Sequence, residues 1–112
     1  MLTVIFRRDS RKRLSSVFAA GHVEIAPASS DEYSLVCAAV SAVLQAARLG
    51  LEEHVHAPLE VSQQSGELSL RWDAASREDE RLVAIMETAR LATVQIASQY
   101  PQHVTVRDEP EA

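Results

Sequence analysis

The chain has 112 residues, of which 46% are hydrophobic, and this length and composition are typical of one globular domain rather than of a disordered segment. A single cysteine excludes an internal disulfide, and the histidines and the cysteine lack zinc-site spacing, so neither a metal nor another cofactor is expected. Charged residues among the first 20 positions argue against a signal peptide, and no apolar run reaches the ~20 residues of a membrane span. The expected location is therefore the cytoplasm.

Two strands are predicted near the N-terminus, at residues 2–8 and 14–20, because both segments are rich in β-branched and aromatic residues. The turn between them is strongly basic although the whole chain has a formal net charge of −5. Such a basic tip can dock on RNA or on an acidic partner. A solvated hairpin turn is the alternative, because no aromatic residue is interleaved with these cations for base stacking. The basic residues are Arg7, Arg8, Arg11, Lys12 and Arg13.

The only cysteine, Cys37, stands where a polar loop gives way to an apolar helical pattern over residues 35–51. Ser34 is a plausible N-cap, which would place Cys37 in the first turn of the helix, where the helix dipole and unpaired N–H groups favour a thiolate. A cap at Ser29 or Ser30 is the competing boundary and would move Cys37 deeper into the helix.

The helical spacing also assigns faces to this segment. A core stripe is predicted at Val36, Ala39, Val40, Val43 and Ala47, and an opposite face at Ser34, Cys37, Ser41, Leu44 and Arg48. Cys37 is thus predicted to lie off the buried stripe. A buried, inert cysteine remains the common alternative for a lone thiol.

His22 follows Gly21 at the end of the second predicted strand, a short loop before Cys37. A histidine and a cysteine brought together in this way can form a general base and nucleophile. A surface histidine with no catalytic role would look the same in the sequence.

The second half of the chain predicts a hairpin, a helix and a last strand. The hairpin is predicted from strands at residues 59–63 and 68–72, with a turn at Ser65 and Gly66. The helix is predicted to start at Asp73 to Ser76 and to continue to about Ser98, before Pro101. Residues 103–107 read as the last strand and residues 108–112 as a frayed acidic tail. The predicted fold is a single α/β domain of the α+β type over residues 1–112, in the order β-β-α-β-β-α-β, with two helices on one face of a mixed or antiparallel sheet.

The Gly-His pair at residues 21–22 and the helix sequence Val-Cys-Ala-Ala-Val-Ser at residues 36–41 resemble the ribosomal-processing cysteine proteases of bacteria, the Prp family. The resemblance covers nearly the whole chain in length and element order. It implies that Cys37 is the nucleophile and His22 the general base. It also implies a cytoplasmic homodimer that removes the N-terminal extension of a large-subunit ribosomal protein, cutting after a phenylalanine.

Two departures from the family pattern concern the loop and the residues around the cysteine. Val23 stands where the family usually has alanine, and Ser34 where it has an aspartate that could orient an imidazole; Asp31 is expected to take that role from the loop. Residues 24–33 form a longer loop without glycine, which we expect to be mobile and to close over a peptide substrate. The supporting or substrate-binding residues are predicted to be Gly21, Asp31, Ser34 and Ser41.

A second class of function is a non-catalytic ribosome-associated module that uses the basic hairpin. The homodimer is expected from the family and from the long apolar stripe of the second helix.

Overall fold

The structure is a computed structural model that describes residues 1–21 and 30–111. It is a single compact domain in which five strands and two long helices alternate as predicted. The elements are β1 (Leu2–Arg8), β2 (Leu14–Gly21), α1 (Ser30–Gly50), β3 (Leu59–Gln64), β4 (Glu67–Trp72), α2 (Glu80–Gln99) and β5 (Val104–Pro110).

The five strands form one mixed sheet in the order β3-β4-β2-β1-β5. β1 pairs with β2, β2 with β4, and β3 with β4 in the antiparallel sense, whereas β1 and β5 are parallel. The parallel pair requires the long connection from β1 to β5, which the other elements of the chain provide. The predicted mixed sheet is therefore confirmed.

Both helices pack on the same face of the sheet. In the interior strand β1, Val4 and Phe6 are fully buried beneath the helices, and Ile5 between them, which points to the other side of the sheet, is buried as well. Trp72 completes this core at the far end of β4, and its indole N–H donates to the carbonyl of Leu14 at 2.8 Å. The helices contribute Val36, Val40, Leu44, Ala47, Leu82, Met86 and Ala89 to the same cluster.

Three helix boundaries differ from the sequence prediction. α1 begins at Ser30, four residues before the favoured cap, and a π-helical turn at Leu51–Val55 extends it into the predicted connection. The side chain of Asp73 accepts from the N–H of Ser76 at 3.0 Å, where a short 3-10 turn (Ser76–Glu78) begins, whereas Asp79 is the N-cap of α2 and accepts from the N–H of Arg81. The sequence pattern predicted a single helix start at Asp73 to Ser76. The structure instead has a 3-10 turn there, and α2 begins only after Asp79.

The predicted frayed tail is wrong for most of its length. β5 continues to Pro110, and its last residues pair in parallel with the end of β1, where Glu109 lies opposite Arg7. Glu111 follows, and its N–H donates to the carbonyl of Arg8 at 2.8 Å. Backbone pairing with β1 outweighs the polar composition that suggested fraying.

The segment Asp31–Val55 is long and apolar enough, by length and composition, to cross a membrane. The core helix of a folded domain meets the same criterion, and this segment supplies buried side chains to the core from Val36 to Val55. The buried side chains account for only part of the apolar character of this segment. The outward side of α1 contributes the rest, because it carries mostly alanine and leucine.

Candidate active site

One end of the sheet gathers the residues that the sequence singled out. Gly21 ends β2 opposite Leu2, and its N–H donates to the carbonyl of Gly66 in the β3–β4 turn at 2.9 Å. The N–H of Leu2 donates to the carbonyl of His103 at the start of β5 at 2.8 Å. The end of β2, the β3–β4 turn and the start of β5 therefore meet where the chain enters the segment containing His22.

Gly66 allows two of these segments to approach closely. Its φ of +79° lies in the left-handed region, and a Cβ there would stand 3.1 Å from the carbonyl oxygen of Gly21. A glycine meets both requirements without strain.

Cys37 is the eighth residue of α1, so the prediction that it lies in the first turn is wrong and the competing boundary holds. At that position its N–H belongs to the interior of the helix, where it bonds to the carbonyl four residues earlier. This N–H therefore cannot stabilise an oxyanion, and the dipole argument for a thiolate loses most of its force because the effect falls off beyond the first turn.

The faces of α1 also differ from the prediction. The buried stripe is Val36, Val40, Leu44 and Ala47, whereas Ala39 is exposed and Leu44, assigned to the opposite side, is only 2% exposed. Cys37 lies on the flank of this stripe, half-buried against the core. Its thiol is thus neither a core side chain nor a freely solvated one.

Tyr33 links Cys37 to the end of β2. Tyr33 lies one helical turn before Cys37 and is also partly buried against the core. Its hydroxyl oxygen stands 3.0 Å from the position that a Cβ on Gly21 would occupy. Side chains four residues apart on a helix are neighbours, so Cys37 lies about one turn from the residue that contacts Gly21.

The other predicted site residues lie on or beside this part of α1. Asp31, Ser34 and Ser41 are exposed, and Ser41 follows Cys37 by one turn. His22 and the loop as far as residue 29 lie outside the described residues. Residues 30–33, assigned to the same loop, belong to α1.

A second histidine stands at this end of the sheet, and the sequence analysis did not identify it as a site residue. His103 is 8% exposed, and its Nε2 lies 2.7 Å from the Oε2 of Glu32 in the first turn of α1. Its ring packs against that of Tyr33 at a centroid distance of 5.7 Å and a tilt of 55°. The contact joins residues 71 positions apart, so local sequence patterns carry no signal for it.

The basic hairpin is partly neutralised by its surroundings. Arg8 pairs with Glu87 at 3.1 Å, and Arg13 pairs with Asp9 at 2.9 Å and with Glu78 at 2.8 Å. Arg11 lies 3.7 Å from Glu78. Among the residues that the structure describes, Arg7 and Lys12 are the two cations of the tip without a carboxylate partner.

Asp9 holds this hairpin turn together. It accepts from the backbone N–H groups of Arg11 at 2.9 Å and Arg13 at 3.0 Å, and from the Nε of Arg13 at 2.9 Å. Burial raises the pKa of Asp9, but the hydrogen bonds from Arg13 and Arg11 outweigh it and lower the pKa to about 2.

A cavity of about 290 Å³ lies at the opposite end of the sheet, between the start of β3 and the end of β4. Its lining includes Leu59, Trp72 and Arg77 and none of the described residues proposed for the site. Within residues 1–21 and 30–111, no group of three or more potential ligands could hold a metal ion.

Comparison with known proteins assigns the chain to a family. Residues 1–105 match the family model described as cysteine protease Prp. A search of curated proteins gives no match.

Solved structures share the fold. The essential ribosomal processing protease Prp from S. aureus, in complex with a substrate peptide, is similar with a TM-score of 0.83 and 17% identity, over 96% of this chain and 99% of that one. The same protease with a covalently linked product peptide gives a TM-score of 0.81 and 18% identity, over 96% and 99% of the two chains. The protein SMU.848 from Streptococcus mutans gives a TM-score of 0.77 and 22% identity, over 99% of this chain and 96% of that one.

Proposed function

Since this chain belongs to the cysteine protease Prp family, it is a cysteine protease, and we propose that it removes the N-terminal extension of a large-subunit ribosomal protein. The family match over residues 1–105 is the observation that carries this proposal. The ribosomal processing protease of S. aureus supports it further, because that enzyme was solved with a substrate peptide and has the same fold along nearly its whole length.

In the proposed mechanism Cys37 is the nucleophile and His22 the general base. His22 accepts the proton of the thiol as sulfur attacks the scissile carbonyl, and then donates it to the leaving amine as the carbon–nitrogen bond breaks. Water hydrolyses the resulting thioester, which releases the second product and restores the thiol. The half-buried position of Cys37 supports this assignment, because Cys37 follows by one helical turn the residue, Tyr33, whose hydroxyl lies against Gly21.

Four residues are proposed to support the site. Ser41, one turn after Cys37 and exposed, is proposed to line the substrate groove. Asp31, exposed in the first turn of α1, is proposed to supply the carboxylate that orients His22. Ser34 takes the place of the family aspartate but carries no charge, and Gly21 admits the hydroxyl of Tyr33.

The proposed partners are the N-terminal peptide of the ribosomal protein and a second copy of this chain, in the cytoplasm. A ribosome contact through the basic hairpin stays a prediction. The ion pairs of Arg8, Arg11 and Arg13 leave Arg7 and Lys12 as the more available cations among the described residues.

Cleavage of a peptide that spans the proposed processing site, with a phenylalanine before the scissile bond, tests this function. We expect Cys37→Ala and Cys37→Ser to lower kcat/KM by at least about 10⁴-fold, because the nucleophile is lost. His22→Ala should also be strongly impaired, while Ser10→Ala, in the distant β1–β2 turn, should cleave like the wild type.

Circular dichroism and thermal unfolding serve as controls for folding. Because Cys37 lies on the flank of the core stripe, the alanine variant should remain folded. Cleavage retained by folded Cys37→Ala would rule out the proposed nucleophile.

A further inference from the structure

His103 is a buried histidine that the proposed mechanism does not use. Its backbone is fixed on both sides, because its N–H donates to the carbonyl of Tyr100 at 2.9 Å and its carbonyl accepts from Leu2 at 2.8 Å. Its position is therefore set by the sheet and by the end of α2, independently of α1.

The side chain of His103 reaches across to the first turns of α1. Its Nε2 lies 2.7 Å from Glu32, and its ring packs against Tyr33. The amide of Gln102 adds a longer contact of 3.5 Å to the same carboxylate oxygen. Glu32 has an exposed side chain, 56% accessible, so this hydrogen bond reaches from a buried imidazole to the surface.

These contacts hold a part of α1 that the core holds weakly. The buried residues of the helix begin at Val36, so the described residues before it depend on other contacts to fix their position. Tyr33 continues the connection, because its hydroxyl lies against Gly21, the residue before His22. Glu32 and Tyr33 therefore connect three segments: the start of β5, the end of β2 and the turn of α1 that precedes Cys37.

We infer that Glu32, Tyr33 and His103 form a positioning cluster that sets the place of Cys37 relative to Gly21, the residue that precedes His22. This inference rests on the proposed function, since it assigns the cluster a role in aligning the nucleophile and base. Small displacements of reacting groups are costly, and a shift of about 1 Å can reduce a rate by about 100-fold. None of the three residues needs to touch the substrate for this effect.

The test starts from Glu32, because its exposed side chain can be truncated without opening a cavity in the core. We expect Glu32→Ala to lower kcat by roughly 10-fold to 100-fold with KM changed by less than about twofold. Glu32→Gln should recover most of the rate, because its amide oxygen can accept from the Nε2–H of His103. Glu52→Ala is the matched control, since it removes a 2.6 Å pair with Arg48 at the other end of the same helix.

The rate at which iodoacetamide alkylates Cys37 provides a second measurement that needs no peptide cleavage. It should change in Glu32→Ala and stay at the wild-type value in Glu32→Gln and Glu52→Ala. Wild-type kcat and alkylation rate in Glu32→Ala would overturn the inference, as would a Gln variant as impaired as the Ala variant. If the wild type cleaves no peptide, the proposed function fails, and the alkylation rates alone then decide whether the cluster positions Cys37.

Discussion

Cys37 and Leu44 show what helical spacing can and cannot predict for single residues. The sequence placed both on the outer face of α1, yet Leu44 is buried and Cys37 lies half-buried at the flank of the core stripe. Several stripes of α1 are apolar, so periodicity alone does not show which of them faces the sheet. The identity of Cys37 as the candidate nucleophile came from its uniqueness and from the family motif, and neither depends on the face.

Asp9 gives a pH-dependent contribution that can be tested by substitution. Its pKa in the folded protein is about 2, below the ordinary value of 3.8, so its ionised form stabilises the fold above pH ~4 and this contribution disappears as the pH falls toward ~2. We expect Asp9→Asn to be less stable than the wild type at pH 7. Its loss of stability between pH 4 and pH 2 should be smaller than that of the wild type, because the contribution of the Asp9 carboxylate is already absent. Some loss should remain, because Asp79, whose pKa is also lowered to about 2, still titrates there.

Urea unfolding at pH 7, 4 and 2 measures this difference. Glu53→Gln, which changes an exposed carboxylate, is the control and should follow the wild type at all three values. An Asp9→Asn variant with the same pH dependence as the wild type would contradict the role of Asp9 in the turn.

At the level of elements, strands were predicted more accurately than helix ends. The bounds of β1 are as predicted, and those of β2, β3 and β4 agree within one residue, because alternation and turn residues mark both ends of a strand. The sequence allowed two N-terminal boundaries for α1, one at Ser34 and one at Ser29 or Ser30, and the structure supports the upstream one. The pairing of β5 beyond Arg107 depends on the distant strand β1 and could not be read locally.

The outer side of α1 is the better candidate for the interface of the proposed homodimer. Its exposed residues include Leu35 at 72% and Leu49 at 58%, with alanines between them at positions 38, 42 and 46. These residues are symmetric about Ala42, so an antiparallel copy would place Leu35 against the partner's Leu49. Such self-complementarity is what a two-fold interface requires. The exposed apolar residues of α2, including Leu91 and Val94, are interrupted by polar ones.

Sedimentation at micromolar concentration tests this interface. We expect a dimer of the 12.3 kDa chain for the wild type and a monomer for Ala42→Glu, because a charge at the centre of the contact would be buried. Leu91→Glu on α2 is the control and should remain dimeric. A dimer that survives Ala42→Glu but is lost in Leu91→Glu would place the interface on α2, and a monomeric wild type would end the homodimer proposal.

At the scale of the whole molecule, the sequence predicted the order of the five strands and two long helices along the chain. It did not predict how the strands are arranged in the sheet. The order β3-β4-β2-β1-β5 and the parallel β1–β5 pair bring His103 to the Gly21 end of the sheet. This placement of a buried histidine beside Glu32 and Tyr33 follows from topology rather than from any local motif. The Gly-His and Val-Cys pairs, by contrast, carry enough local information to identify the family.

The central claim is that Cys37 attacks the peptide with the help of His22, and active-site labelling tests it most directly. A peptide chloromethyl ketone ending in phenylalanine would be incubated with the protein, and the adduct located by mass spectrometry. We predict one adduct, on Cys37, whose formation slows strongly in His22→Ala and is blocked by an excess of the cleavable peptide. Peptide cleavage that continues after Cys37 is fully labelled would contradict the account.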